Sequence, residues 1–285
     1  MSPANANPGG NKPAPKDLFA HLKKTLHQVT IDGQTYYLAE GDTLLDVDQL
    51  EIYAGARQQE NEVRKARAAA DKAGFGQTRV GSQSQALIAM TSGGKIVRWK
   101  PGTVLSYRVA KGTFGDDVKY QMVVKNMAKA TQEWMDTCGV EFKHMKELDG
   151  KPGVLPEGAL FSVREIDAGG RFIASAFFPN DPKDRRRVLI DPSYYDTAFD
   201  KVGVLRHELG HVLGWRHEHI SHDAPPACPD EDDFDQQKIT QYDPKSVMHY
   251  FCGGVGSREL KISDIDRTGS VQIYGPPLKQ VSFIS

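Results

Sequence analysis

The segment His207-Glu208-Leu209-Gly210-His211-Val212-Leu213-Gly214-Trp215-Arg216-His217 gathers three histidines and a carboxylate within eleven residues. Residues four apart on a helix project from one face with neighbouring side chains. If 202–213 is helical, His207 and His211 can therefore grip one ion. Gly214 can adopt the left-handed conformation that ends a helix, so the chain can reverse and bring His217 in from another direction. Neutral imidazoles suit zinc, and a catalytic zinc takes three protein ligands and keeps a fourth position for water. Glu208, beside the first histidine, can reach that water without ligating and is the expected general base. Zinc lowers the pKa of such a water towards about 7, so a carboxylate can take its proton and later hand one to a leaving amine. The chemistry this suits is peptide-bond hydrolysis. The competing reading, histidines scattered by accident on an ordinary helix, has to produce His, Glu, His, Gly and His together at fixed spacing. HExxH without the glycine and third histidine would be weaker evidence.

These residues need a scaffold, and the chain has the means to build one. Its 285 residues, 39% hydrophobic, can bury one substantial core plus a small accessory region. A formal charge of -1 gives no electrostatic reason to expect nucleic acid or an anionic membrane surface as partner. No apolar run is long enough to span a bilayer. The N-terminus lacks the apolar stretch of a signal peptide, which leaves three options open: the chain stays inside, leaves by another route, or has lost its signal. Residues 1–16, rich in Pro, Gly, Asn and Ala, read as a disordered tail. Residues 29–50 read as short extended segments around a Gly41-Asp42 turn, and 56–73 as an exposed helix. A Gly, Ser and Gln-rich linker at 74–85 carries the domain boundary. The resulting division is a tail (1–16), an N-terminal region with its linker (17–80) and a main domain (81–285).

Within the main domain, 96–109 reads as two strands around a Pro101-Gly102 turn. Tyr120, Val123, Val124, Met127, Ala130, Thr131 and Trp134 follow at helical spacing. Strands are expected near 140–142, 160–163, 172–178 and 188–190, ahead of the histidine-bearing helix. This order predicts an α+β fold with a mixed sheet.

The histidine segment resembles the zinc signature of metzincins, and Ser246-Val247-Met248-His249-Tyr250 is similar to their Met-turn in its astacin form. The resemblance implies a zinc metallopeptidase with a twisted mixed sheet, an active-site helix, the Met-turn and a C-terminal helix. It also implies that Met248 is an apolar floor beneath the imidazoles, and that Tyr250 either binds zinc at rest or swings away to stabilise the transition state. Arg98-Trp99 onward is similar to the opening strand of astacins and matrixins. Residues 174–179 resemble a matrixin edge strand that pairs with extended peptide. Ser263-Asp264-Ile265-Asp266, with the capping-box spacing, opens a run similar to the family's C-terminal helix. Matrixins carry a second, structural zinc, but Ser175 and Leu189 stand at the comparable positions, so one catalytic zinc is expected. Glu218 follows His217 as in astacins, where that glutamate meets a new N-terminal amine; the alternative is a surface charge flanking the helix.

Ala39-Glu40-Gly41-Asp42 resembles the prosegment motif by which astacins place an aspartate on the zinc, with Ala39 where the family has Phe. Asp42 is thus either an inhibitory zinc ligand or part of an ordinary Gly-Asp turn. Of the three cysteines, Cys138 reads as a buried thiol, while Cys228 and Cys252 are either disulfide-bonded or free. The functional expectation is an endopeptidase acting on protein or peptide substrates. The alternative is a catalytically idle metzincin-fold binding module in which the N-terminal segment is a permanent plug. The oligomeric state is not assigned.

Overall fold

The computed structural model describes residues 15–72, 86–221, 223–229 and 236–278. The expected linker at 74–85, almost all of the expected tail and the acidic run 230–235 lie outside them. The chain divides into two compact units: Met1–Ala39 with Leu45–Thr78, and Glu40–Leu44 with Arg79–Ser285. The short segment around Asp42 therefore belongs to the second unit, although the chain on both sides of it belongs to the first.

The first unit packs helices Pro15–Thr25 (α1) and Val47–Lys72 (α2) with a hairpin of His27–Ile31 (β1) and Gln34–Ala39 (β2). Leu18, Leu22, Tyr37, Leu50 and Ala54 form its small core. A short strand, Thr43–Leu45 (β3), follows the Asp42 turn.

The second unit is α+β. Its larger sheet has the order β7-β6-β8-β10-β9, built from Glu141–His144 (β7), Val104–Val109 (β6), Phe161–Glu165 (β8), Arg187–Ile190 (β10) and Ala174–Ser175 (β9). The first four strands are parallel, and β9 runs antiparallel to β10 at the edge. All four residues of β10 are buried, as expected of an inner strand covered on both faces. The strand expected across 172–178 contracts to two residues, because an edge strand has only one neighbour to pair with. A smaller antiparallel sheet pairs Ala86–Ser92 (β4) with Lys95–Ile96 (β5), Trp215–Arg216 (β11) and Gln236–Thr240 (β12).

Two helices cross the core. Asp117–Met135 (α3) is capped by Asp116, whose carboxylate accepts the Lys119 N–H at 2.8 Å, and it buries Tyr120, Val123, Met127, Ala130 and Trp134. Lys201–Val212 (α4) is capped by Asp200, and every residue from Gly203 to Val212 is buried. A helix enclosed on all sides can hold polar side chains only if they have partners. The indole of Trp134 donates to Arg206 O at 2.9 Å and ties α3 to α4. Asp264–Tyr274 (α5) opens with the expected capping box between Ser263 and Asp266.

Candidate metal centre

The helix α4 presents His207 and His211 on one face, and the turn after it supplies His217. Gly214 takes φ +95°, and a Cβ there would lie 2.4 Å from Val97 O, so both conformation and space require glycine. The carbonyls of Val212 and Leu213, at the end of α4, are satisfied from other elements. The Trp99 indole donates to Val212 O at 2.7 Å, and the Tyr274 hydroxyl donates to Leu213 O. The reversal that aims His217 is therefore held from three directions.

Two imidazoles are oriented by backbone carbonyls. His207 Nδ1 lies 2.8 Å from Val247 O and His211 Nδ1 lies 2.8 Å from Trp215 O, so each Nδ1 carries the proton and each Nε2 turns a lone pair inward. His211 and His217 bring their Nε2 atoms to 3.2 Å, and His207 Nε2 is buried without a hydrogen-bond partner. Burial brings the His211 pKa down to about 4, so this ring is neutral at pH 7. Three converging imidazole nitrogens, one of them buried and without a hydrogen-bond partner, fit a zinc ion.

The fourth member is Asp42. Its Oδ2 lies 3.1 Å from His217 Nε2, 3.5 Å from His207 Nε2 and 3.7 Å from His211 Nε2. Among the described residues, Asp42, His207, His211 and His217 form a buried metal-competent cluster whose ligand atoms all lie within 4.8 Å of one another. Burial pushes the Asp42 carboxyl up, but the surrounding histidines outweigh it and hold the group well below the ordinary carboxylate range. The Tyr250 hydroxyl donates to Asp42 Oδ2 at 2.8 Å and lies 3.0 Å from Glu40 O, and its ring packs 4.4 Å from that of His217. Gly41, at φ +82°, passes so close that a Cβ would meet the Tyr250 hydroxyl at 2.6 Å. Glu208 is buried beside the cluster. Burial, with the Asp42 charge adding to it, pushes its pKa well above the usual value, and its Oε2 has no hydrogen-bond partner.

Met248 is fully buried within the turn that supplies Val247 O to His207. Asp266 fixes that turn: its carboxylate accepts the Val247 N–H at 2.8 Å and the Ser246 hydroxyl at 2.6 Å while it also caps α5. The capping spacing foretold half of this role, and the link to the Met-turn came only with the fold. Glu218 corrects the surface-charge alternative. It is fully buried and accepts the N–H groups of Leu87 at 2.9 Å and Asp243 at 2.8 Å. Cys228 and Cys252 are disulfide-bonded, and Cys138 is a buried free thiol. A cavity of about 330 Å³ opens beside His207 and Glu208, with Phe172, Phe199, Val204 and Leu260 among its walls.

The matrixin family model matches residues 98–224, which include all three histidines and Glu208. Human stromelysin-3 is 29% identical over 130 residues, covering 42% of this chain and 25% of that protein, so the chain spans about a quarter of this relative's length. Among solved structures, myroilysin aligns with a TM-score of 0.45 at 15% identity, covering 67% of this chain and 100% of that one. High choriolytic enzyme 1, a hatching-enzyme zinc protease from the medaka Oryzias latipes, aligns with a TM-score of 0.44 at 16% identity, covering 66% and 99%. The three-histidine segment and the Met-turn, together with the matrixin match across α4, support a metzincin.

Proposed function

We propose that this chain is a zinc-dependent endopeptidase held latent by its own Asp42. The observation that carries the reading is the convergence of His207, His211 and His217 on one point, with Asp42 Oδ2 within 3.7 Å of all three. A single zinc ion held by the three imidazoles would supply Lewis acidity and an acidified water at its open position. Asp42 occupies the side on which a substrate carbonyl would approach, so the segment has to withdraw before cleavage. Glu208, buried beside the histidines, would take the proton of the attacking water as its oxygen adds to the substrate carbonyl carbon, and would deliver it to the amine nitrogen as the C–N bond breaks. Tyr250 moves its hydrogen bond from Asp42 to the carbonyl oxygen that gains charge. Met248 stays beneath as packing. The apolar cavity beside Glu208 suits a large apolar side chain next to the cut bond, and the edge strand β9 suits an extended peptide backbone.

The test combines zinc quantitation with peptide cleavage. Glu208→Ala is expected to retain zinc and to lose cleavage by roughly 10²-fold or more. Asp42→Ala in the full chain is expected to cleave faster than the parent. Bound zinc with no Glu208-dependent cleavage would instead favour the idle binding module.

A further inference from the structure

The segment that covers the metal centre carries a second carboxylate, and that carboxylate also has a dedicated partner. Glu40 Oε1 lies 2.6 Å from Arg216 Nη2, and both side chains are more than nine-tenths buried. Glu40 takes φ +49°, an uncommon conformation for a residue with a Cβ, and Gly41 follows at φ +82°. This unfavourable turn sends Glu40 to the guanidinium and Asp42 to the histidines. The Tyr250 hydroxyl sits between the two residues, within 3.0 Å of Glu40 O and 2.8 Å of Asp42 Oδ2. Arg216 itself is fixed in β11, where it pairs with Ile88 of β4, and it immediately precedes the ligand His217. It is not one of the residues lining the apolar cavity.

We infer that Arg216 is a substrate-specificity residue, forming a subsite for an acidic side chain about two residues from the bond that is cut, and that Glu40 fills this subsite as a built-in mimic. The inference rests on the endopeptidase reading. Its physical basis is the cost of burying charge. A guanidinium held away from water needs good acceptors, and a carboxylate that pairs with it at close range outcompetes a neutral side chain. When Glu40 leaves with its segment, Arg216 loses the carboxylate it pairs with. A Glu or Asp of an incoming peptide restores the pair, whereas Gln restores only a neutral hydrogen bond. The same argument explains why the segment carries two carboxylates. One lies against the three histidines and the other against Arg216.

The experiment uses the full chain with Glu40→Gln and Asp42→Ala, loaded with zinc, so that neither site is held by a carboxylate of the covering segment while the polypeptide stays intact. Two pairs of fluorogenic peptides with a central large apolar residue carry Glu or Gln two residues before or two residues after the cut. Within one of the pairs kcat/KM should favour Glu by roughly tenfold, the discrimination expected of a close charge pair. Adding Arg216→Gln should bring the ratio to about one, and Arg216→Lys should retain part of it. The same peptides, fluorescein-labelled, are titrated by anisotropy against the protein carrying Glu208→Ala as well, which separates binding from turnover. Cleavage with a Glu-to-Gln ratio near one in both pairs, Arg216 being intact, overturns the subsite; this measurement stands even if an Arg216 variant does not fold. Absence of cleavage together with Arg216-dependent preference in binding sinks the peptidase reading and leaves the subsite standing.

Discussion

Gly41 is the residue on which the covering segment turns. Its φ of +82° and the 2.6 Å that would separate a Cβ from the Tyr250 hydroxyl leave no room for any side chain. Gly41→Ala therefore adds left-handed backbone strain of about 1–2 kcal/mol to a steric conflict. Both penalties fall on the state in which Asp42 sits against the histidines. The full chain with this substitution is expected to cleave a reporter peptide severalfold faster than the parent, with zinc content unchanged. Equal rates, measured side by side, would mean that the close approach of Gly41 to Tyr250 does not hold the segment down. At this scale the sequence was highly legible. His207, Glu208, His211 and His217 announce themselves by type and spacing, because a helix converts spacing into direction. Glu218 and Asp266 were less so: their importance lies in which backbone N–H groups they accept, and those groups are distant in the chain.

Between elements, one buried carboxylate does the joining. Asp149 accepts the Val109 N–H of β6 at 2.8 Å and the Tyr120 hydroxyl of α3 at 2.6 Å, and it pairs with His144 of β7 at 3.0 Å. Burial alone would raise its pKa, but these hydrogen bonds and the neighbouring imidazole outweigh that effect and hold it below the ordinary carboxylate value. A carboxyl whose pKa is depressed on folding stabilises the protein above its unfolded pKa, near about 3.9, and loses that contribution as pH falls through the folded value. Asp149→Asn is expected to lower stability at pH 7 and to shrink the loss between pH 5 and pH 3. Urea midpoints across that range would check it, and parallel pH curves for parent and variant would contradict it. The elements themselves were partly readable. The amphipathic spacing of α3 and the capping box of α5 are local signals, and both elements appear where the sequence put them. The strand β4 and its partner β12 were not foreseen, because β4 adjoins a linker-like stretch and β12 carries little apolar alternation. They exist as strands because they pair with each other and because β4 also pairs with β11, which contains Arg216.

Across the whole molecule, the site is a long-range assembly. Asp42 is separated from His217 by 175 positions and from Tyr250 by 208. The Cys228–Cys252 disulfide closes a loop with a sequence separation of 24, joining the chain beyond the third histidine to the residues after the Met-turn. A cross-link over a loop of that size stabilises by about 3 kcal/mol through the unfolded state. Replacing both cysteines with serine should therefore lower the urea midpoint by a corresponding amount, and an unchanged midpoint would count against that account. The sequence by itself marked the candidate metal ligands and base, since His207, Glu208 and His211 share one helix at fixed spacing and His217 follows the glycine turn that ends it. It also determined the fold class, through the order of its periodic segments. Only the tertiary structure brought Asp42 against the three histidines, buried Glu218 and bonded Cys228 to Cys252. It also placed Glu40 on Arg216. Each of these depends on which distant groups share a dehydrated space, where unpaired charge is costly and partners must be found, and spacing along one segment carries no record of that.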